Sequence, residues 1–432
     1  MERNLGSVLR FLLRAGVGLW VGLGLGFWAT HAHTVTLRLA GESGVGAGAD
    51  FLDARVQEWS RRSGHRVESI QMPNSSSERL ALYQQYWASA SPQIDLYLID
   101  VIWPGVASPH LLDLTPHVTD DELAAYEPRL LEANRVGTKL VALPLWSDVG
   151  LLYARRDLLE KYGFERAPET WEELTSWAAI IQDGERESDA AFHGFVWQGA
   201  RYEGLTCNAL EWFASFGAGT LVAPDHSVDL HADRAAAAVA MARGWVGGIS
   251  PRGVTAHMEE EARQIWQGGH AAFLRSWPYV YALSQALESR VRERFLVAPL
   301  PRGPDGRSAA TLGGAQLAVS AYSEHPDVAV ALLKFLAGNE VARARALELG
   351  QPPAFTALYE DTEVMEVNPH FAAVARAMHG IVVRPSVAAG PRYNEVSNAV
   401  YTSIHAALTG TLQPDEAMRR MSARLRRVLG RR

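Results

Sequence analysis

Asp95-Leu96-Tyr97-Leu98-Ile99-Asp100-Val101-Ile102 is the stretch that decides the fold. It is a short apolar run containing an acid, and it reads as a strand that is the third of a series. Working back from it, residues 78–88 read as a helix and residues 66–72 as a second strand. Before those, Leu52, Val56 and Trp59 recur at i, i+4, i+7 on one face of a helix. Residues 34–39 alternate polar and apolar side chains and end in a glycine-rich loop over 41–48. This βαβαβ rhythm predicts an α/β fold with a largely parallel sheet covered by helices on both faces. In such sheets ligands sit beyond the carboxyl ends of the strands, so the loops after Leu39, Met72 and Ile99 are where binding residues are expected.

Working forward, the rhythm changes after Trp146 to a helix-rich stretch. Pro168-Glu169-Thr170-Trp171-Glu172-Glu173 marks one helix start, with Thr170 as N-cap and Glu173 completing a capping box. Further strands are expected at 194–197, 271–276, 295–300 and 316–320, with a surface connection over 299–306. Val328, Leu332, Phe335 and Leu336 mark an amphipathic helix, and Met418, Met421, Leu425 and Leu429 share one face of another. No internal repeat and no low-complexity linker separates the halves. A chain of 432 residues is too long for one ordinary core. Two lobes without a linker imply a chain that crosses between them more than once, as in a hinged clamp. The expected division is 34–146 with about 308–350 in one lobe, and 147–307 with about 351–432 in the other.

Residues 1–32 read as a signal peptide or N-terminal anchor. Arg3, Arg10 and Arg14 give a basic start, residues 15–28 are apolar and glycine-rich, and Ala29-Thr30-His31-Ala32 suits a signal peptidase. The remainder is then expected to be soluble and extracytoplasmic, in the periplasm. A formal charge of −7 argues against nucleic acid as a partner. Cys207, the single cysteine, excludes an intramolecular disulfide and a multi-cysteine zinc site. The fourteen histidines show no metal-binding spacing, and the glycine run 44–48 lacks the dinucleotide-loop spacing. No cofactor and no metal is expected. The arginine-rich stretch 419–432 reads as the solvated face of a helix.

Several strings, taken in order, resemble the ABC-importer sugar-binding proteins (family 1), especially their trehalose/maltose-binding branch. They are residues 95–103, Leu143-Pro144-Leu145-Trp146-Ser147-Asp148-Val149-Gly150-Leu151-Leu152-Tyr153 with Arg156-Asp157-Leu158-Leu159, and the helix start at 169–174. After them come residues 194–208, Arg275-Ser276-Trp277-Pro278-Tyr279, Leu312-Gly313-Gly314, and Arg384-Pro385 followed by Tyr393. The likeness runs from about Val35 to the C-terminus. It implies a two-lobed periplasmic-binding-protein (Venus-flytrap) fold with a multi-crossing hinge. It also implies a sugar ligand in the interlobe cleft, and delivery to transmembrane permease subunits by a monomer that is not an enzyme. Two departures bear on which sugar is bound: residues 312–316 lack an aromatic after the glycines, and residues 351–355 lack a basic residue.

A pyranose offers hydroxyls around its rim and C–H patches on its faces, which calls for carboxylates, guanidiniums and flat aromatic rings. On that chemistry Glu42, Asp100, Asp148 and Glu203 are the expected acceptors. Trp146, Tyr202 and Trp277 are the expected aromatic surfaces, with Pro278 stopping the strand so that the Trp277 indole points outward. Gly313 and Gly314 allow close backbone approach, and the resemblance adds Arg79 and Arg384 as donors. The same carboxylates would suit a glycoside hydrolase, with Asp100 paired to Asp148 or Glu203 as acid and base. A binding protein for another polyol, a peptide or a sugar phosphate is the remaining alternative.

Overall fold

A computed structural model describes residues 34–41, 47–73, 76–304 and 306–430, so the expected signal segment and Glu42 lie outside the described residues. β1 (Thr36–Ala40) leads to α1 (Ala47–Ser63), which buries Leu52, Val56 and Trp59 as their spacing requires. Asp50 lies in the first turn of α1 and Arg61 and Arg62 in its last, each opposing the local end of the helix dipole. β2 (Arg66–Ile70), α2 (Ser76–Ala88) and β3 (Leu96–Asp100) complete the first unit.

Then β4 (Leu143–Val149) and β5 (Leu151–Arg155) follow each other with only Gly150 between them. The next elements are α3 (Trp171–Glu185), β6 (His193–Val196), α4 (Glu203–Ser215), α5 (Glu259–Gln267), β7 (Ala271–Ser276) and β8 (Phe295–Pro299). They are followed by β9 (Ala310–Val319), α6 (Pro326–Leu336), α7 (Asn339–Leu349), β10 (Ile381–Val382), α8 (Tyr393–Leu408) and α9 (Pro414–Val428).

Two main sheets result, both within the compact unit Thr36–Arg432. The first runs β10-β9-β3-β1-β2, with β4 also paired to β9; the second runs β8-β5-β7-β6. The parallel order expected from the opening rhythm holds for β1, β2 and β3, and β10 also pairs parallel with β9, but both sheets are mixed. β9 runs antiparallel to both β3 and β4. In the second sheet β5 is antiparallel to β7 and β8, while β6 is parallel to β7. The reason is that β9 is inserted from far along the chain. A strand arriving by a long return can run in either direction, whereas a short βαβ crossover cannot.

The chain passes from the first sheet to the second at Gly150. It returns between β8 and β9, and reaches the first sheet again at β10. The core of the second sheet gathers Tyr153, Val196, Trp266, Leu274 and Phe295 with Phe371 and Val374 from the later helical segment. α8 packs on α4 and α9, and the Met418, Met421 and Leu425 face of α9 is fully buried.

Thr170 caps α3 through a bond from Glu173 N to its hydroxyl, 3.1 Å. The reciprocal half of the expected capping box is replaced. The Glu173 carboxylate accepts from Glu169 N instead (2.8 Å) and pairs with Arg166, which draws it one residue outward. Among the described residues no helix is long and apolar enough to cross a membrane.

Candidate ligand-binding cleft

One cavity of about 490 Å³ collects all ten described candidates, every one except Glu42. It opens where the carboxyl end of β3, the glycine pair of β9, the start of α4 and the end of β7 converge. Asp100, the last residue of β3, accepts from Ile102 N at 3.2 Å and stays half-buried. Glu203 is the first residue of α4, where the helix dipole favours a carboxylate. Its oxygens accept from the hydroxyls of Tyr393 and Ser397.

Arg384 lies between these two acids, donating to Glu203 at 3.0 Å, to Asp100 at 3.4 Å and to the Leu312 carbonyl at 3.3 Å. It is 6% exposed, and its Nε has no hydrogen-bond partner among the described residues. Arg79 lies 5.4 Å from the Trp103 ring, with its own Nε in the same condition. Both arginines line the cavity.

Trp146 and Asp148 are alternate residues of β4 and so share a face, and the Trp146 indole donates to Asp148 at 3.3 Å. The Arg345 guanidinium is sandwiched between Trp146 (4.6 Å) and Phe51 (4.8 Å), which fixes the indole from behind. Burial pushes the Asp148 carboxyl up to about 7, and the charge of Asp100 adds to the shift against the pull of Trp146 and Arg384.

Gly313 is a position where a Cβ would press on Asp148 (3.0 Å) and on the Trp277 ring (3.2 Å). Gly314 has φ +116, and a Cβ there would overlap the Trp146 carbonyl. The pair thus lets β9 run directly beneath Asp148 and Trp277. Trp277 follows β7, and the Tyr153 hydroxyl anchors its carbonyl at 2.9 Å. Tyr202, immediately before α4, folds its ring over Gly204. Burial and the Glu259 carboxylate hold its hydroxyl well above the ordinary range.

Sequence reasoning missed Met258, Glu259 and Tyr279, which also line the cavity. Met258 is 47% exposed despite its apolar side chain, and the Tyr279 hydroxyl donates to Glu260 at 2.8 Å. Tyr279 stands two residues after Trp277 and could have been found by that spacing. Met258 and Glu259 lie at the start of α5, where no local pattern announces a cleft. Cys207, read as a small core residue, is buried and also borders the cavity; burial pushes its thiol up to about 12. A cavity of about 590 Å³ shares Tyr202 and Glu203 with the cleft. A cavity of about 790 Å³, lined by Arg129, His226, Ile381 and Val387, meets the cleft only at Arg384. Among the described residues no group of three or more His, Cys, Asp or Glu could hold a metal ion.

The cavity therefore presents carboxylates and guanidiniums for hydroxyls, and indole and phenol rings for C–H faces. Residues 47–343 match the family model for bacterial extracellular solute-binding proteins. A probable ABC transporter-binding protein of Deinococcus radiodurans is 41% identical over 93% of this chain and 96% of its own length. The maltodextrin-binding protein MdxE of Bacillus subtilis is 23% identical, over 75% of this chain and 74% of that protein. Among solved structures, maltose-bound T. maritima MalE3 superposes with a TM-score of 0.83 at 38% identity, covering 91% of this chain and 99% of that one.

Proposed function

Because the chain belongs to the bacterial extracellular solute-binding protein family, we propose that it is the binding component of an ABC sugar importer. Its cargo is a neutral di- or oligosaccharide of the maltose/trehalose class, held in the cleft between two lobes and handed to membrane permease subunits. The observation that carries this reading is that ten residues, expected from sugar chemistry and from the family resemblance, line one cavity. The likeness to a maltose-bound protein of 38% identity supports the sugar class. Asp100, Asp148 and Glu203 accept from hydroxyls, and Arg79 and Arg384 donate. Trp146, Tyr202 and Trp277 stack, and Gly313 and Gly314 let the backbone approach the ring. Glu42, outside the described residues, is proposed as a further acceptor.

The two lobes are proposed to be those expected from the sequence, 34–146 with about 308–350 and 147–307 with about 351–432, with the first boundary moved to Gly150 because β4 pairs within the first sheet. The protein works as a monomer outside the cytoplasm, after export directed by residues 1–32, and is not an enzyme.

Calorimetric titration with maltose and trehalose tests the assignment. Saturable binding of one of them, lost in Trp277→Ala and Asp100→Ala, is the expected result. No heat with either would reject the sugar class. The raised carboxyl of Asp148 near Asp100 is also what a hydrolytic acid needs, which favours a second reading as a glycoside hydrolase. Reducing sugar released from aryl glycosides, and lost in Asp148→Asn, would support that reading over the first.

A further inference from the structure

We infer that the buried Glu211–Arg275 ion pair is a positioning device that fixes the Trp277 stacking surface to the hinge crossing at Gly150. This rests on the sugar-cleft reading of Trp277.

α4 begins in the cleft with Glu203, and the same helix face carries Cys207 and then Glu211, at i, i+4 and i+8. Glu203 is a cleft residue, whereas Glu211 lies inside the protein, 1% exposed, paired with Arg275 at 2%. A charge pair this deeply buried is poor value for stability, since desolvation offsets most of its attraction and apolar residues of similar volume do as well. Its bonds suggest another use.

Glu211 accepts from Arg275 Nε at 2.9 Å and also from Nη2. It accepts in addition from Thr311 N at 3.2 Å, where β9 begins. Gly150, the single residue between β4 and β5, lies against the pair so closely that a Cβ would overlap the Glu211 carboxylate. Two of the chain's passages between the sheets, at Gly150 and at the start of β9, therefore rest on one carboxylate.

Arg275 carries this fixed point to the ligand side. It lies near the end of β7, and Trp277 follows two residues on, just past the strand. Its guanidinium lies 4.2 Å from the Trp277 ring centroid, a cation–π contact in a desolvated setting. Gln198 holds the guanidinium in plane by accepting from Nη1 at 3.2 Å, while its own amide donates to the Arg275 carbonyl at 3.0 Å. Trp277 also lies against the bare backbone of Gly313. The indole thus contacts both a guanidinium tied to the hinge and a glycine of β9. Movement at the crossing is transmitted to the orientation of the stacking ring.

The test uses the full chain with maltose as probe. In Glu211→Leu/Arg275→Met the pair is exchanged for apolar volume, and cooperative unfolding is expected to persist. Maltose affinity is expected to fall by up to about thirtyfold, the scale of a desolvated cation–π contact. The Trp277 component of the near-ultraviolet circular dichroism, read as the difference from Trp277→Phe in each background, is expected to collapse. Arg275→Lys keeps the charge without the flat stack, so it is expected to lose the same signal in part, and it decides the matter if the double variant does not fold. A Trp277 signal unchanged in the variant that folds overturns the inference. Failure of the unsubstituted protein to bind maltose would reject the sugar assignment instead, and the ligand-free Trp277 signal would still judge the positioning role.

Discussion

Asp148 carries a proton in the folded protein up to about pH 7, against an ordinary value of 3.8, because burial beside Asp100 disfavours its charge. Two opposite pH effects follow. Between about pH 4 and 7 the folded chain holds a proton that the unfolded chain has released. The contribution of this group to stability is therefore greatest below the unfolded value and declines as pH rises through 7, by at most about 1.4 kcal/mol per unit. Ligand affinity runs the other way, since an ionised carboxylate accepts two hydrogen bonds from sugar hydroxyls and a protonated one accepts fewer. Maltose titrations from pH 5 to 8.5 are expected to show the dissociation constant falling toward a plateau above pH 7. Asp148→Asn is expected to flatten that profile, and a pH-independent constant in the unsubstituted protein would contradict the role given to this residue. Gly314 makes a second prediction. Its φ of +116 and the nearby Trp146 carbonyl leave no place for a Cβ. Gly314→Ala is therefore expected to cost at least about 2 kcal/mol in chemical denaturation, whereas Gly137→Ala, with φ +61 and open space around it, is expected to cost less.

At the scale of elements, α3 shows how a cap acts when its box is only half made. Thr170 satisfies Glu173 N, while the Glu173 carboxylate is drawn to Glu169 N and Arg166. Arg166 holds that carboxyl down to about 2. Thr170→Ala is expected to lower stability by about 1 kcal/mol in a thermal melt, and Arg166→Ala by less, since that pair is largely exposed. The Thr170 cap was legible in the sequence because it is local. So was β7, whose apolar run ends at Pro278, and so was α9, whose buried methionines repeat at helical spacing. β9 was legible only in its second half. Gly313 and Gly314 interrupt the strand pattern there for the sake of close contacts with Trp146, Asp148 and Trp277, and those contacts are long-range. The same reason hid the mixed direction of the sheets and the partnership of Glu211 with Arg275, 64 residues apart. The cleft itself was legible because its side chains stand at strand ends and helix starts, where an unpaired carboxylate or an outward indole departs from what packing alone would choose. Met258 carries no such mark.

At the scale of the whole molecule, Arg384 ties the end of a strand in the first sheet to the start of α4. One nitrogen of the guanidinium reaches Asp100 at the end of a strand in the first sheet; the other reaches Glu203 at the start of α4, which packs against α8. A single buried cation thus holds two carboxylates toward each other across the cleft, and those carboxylates are the groups proposed to receive sugar hydroxyls. Arg384→Met removes the cation and leaves like charges facing in a setting of low dielectric, where they repel strongly. The ligand-free protein is then expected to open, with a larger radius of gyration in small-angle scattering than the unsubstituted chain. Added salt is expected to close it only in part, because screening reaches exposed charges far better than buried ones. Adding Asp100→Asn to the Arg384→Met background removes one of the opposed charges and should return the radius toward its original value. If instead the radius is unaffected by Arg384→Met, the lobes are held by packing at the hinge alone. In that case Arg384 serves only as a donor to the ligand, and closure must come from the sugar bridging both sides.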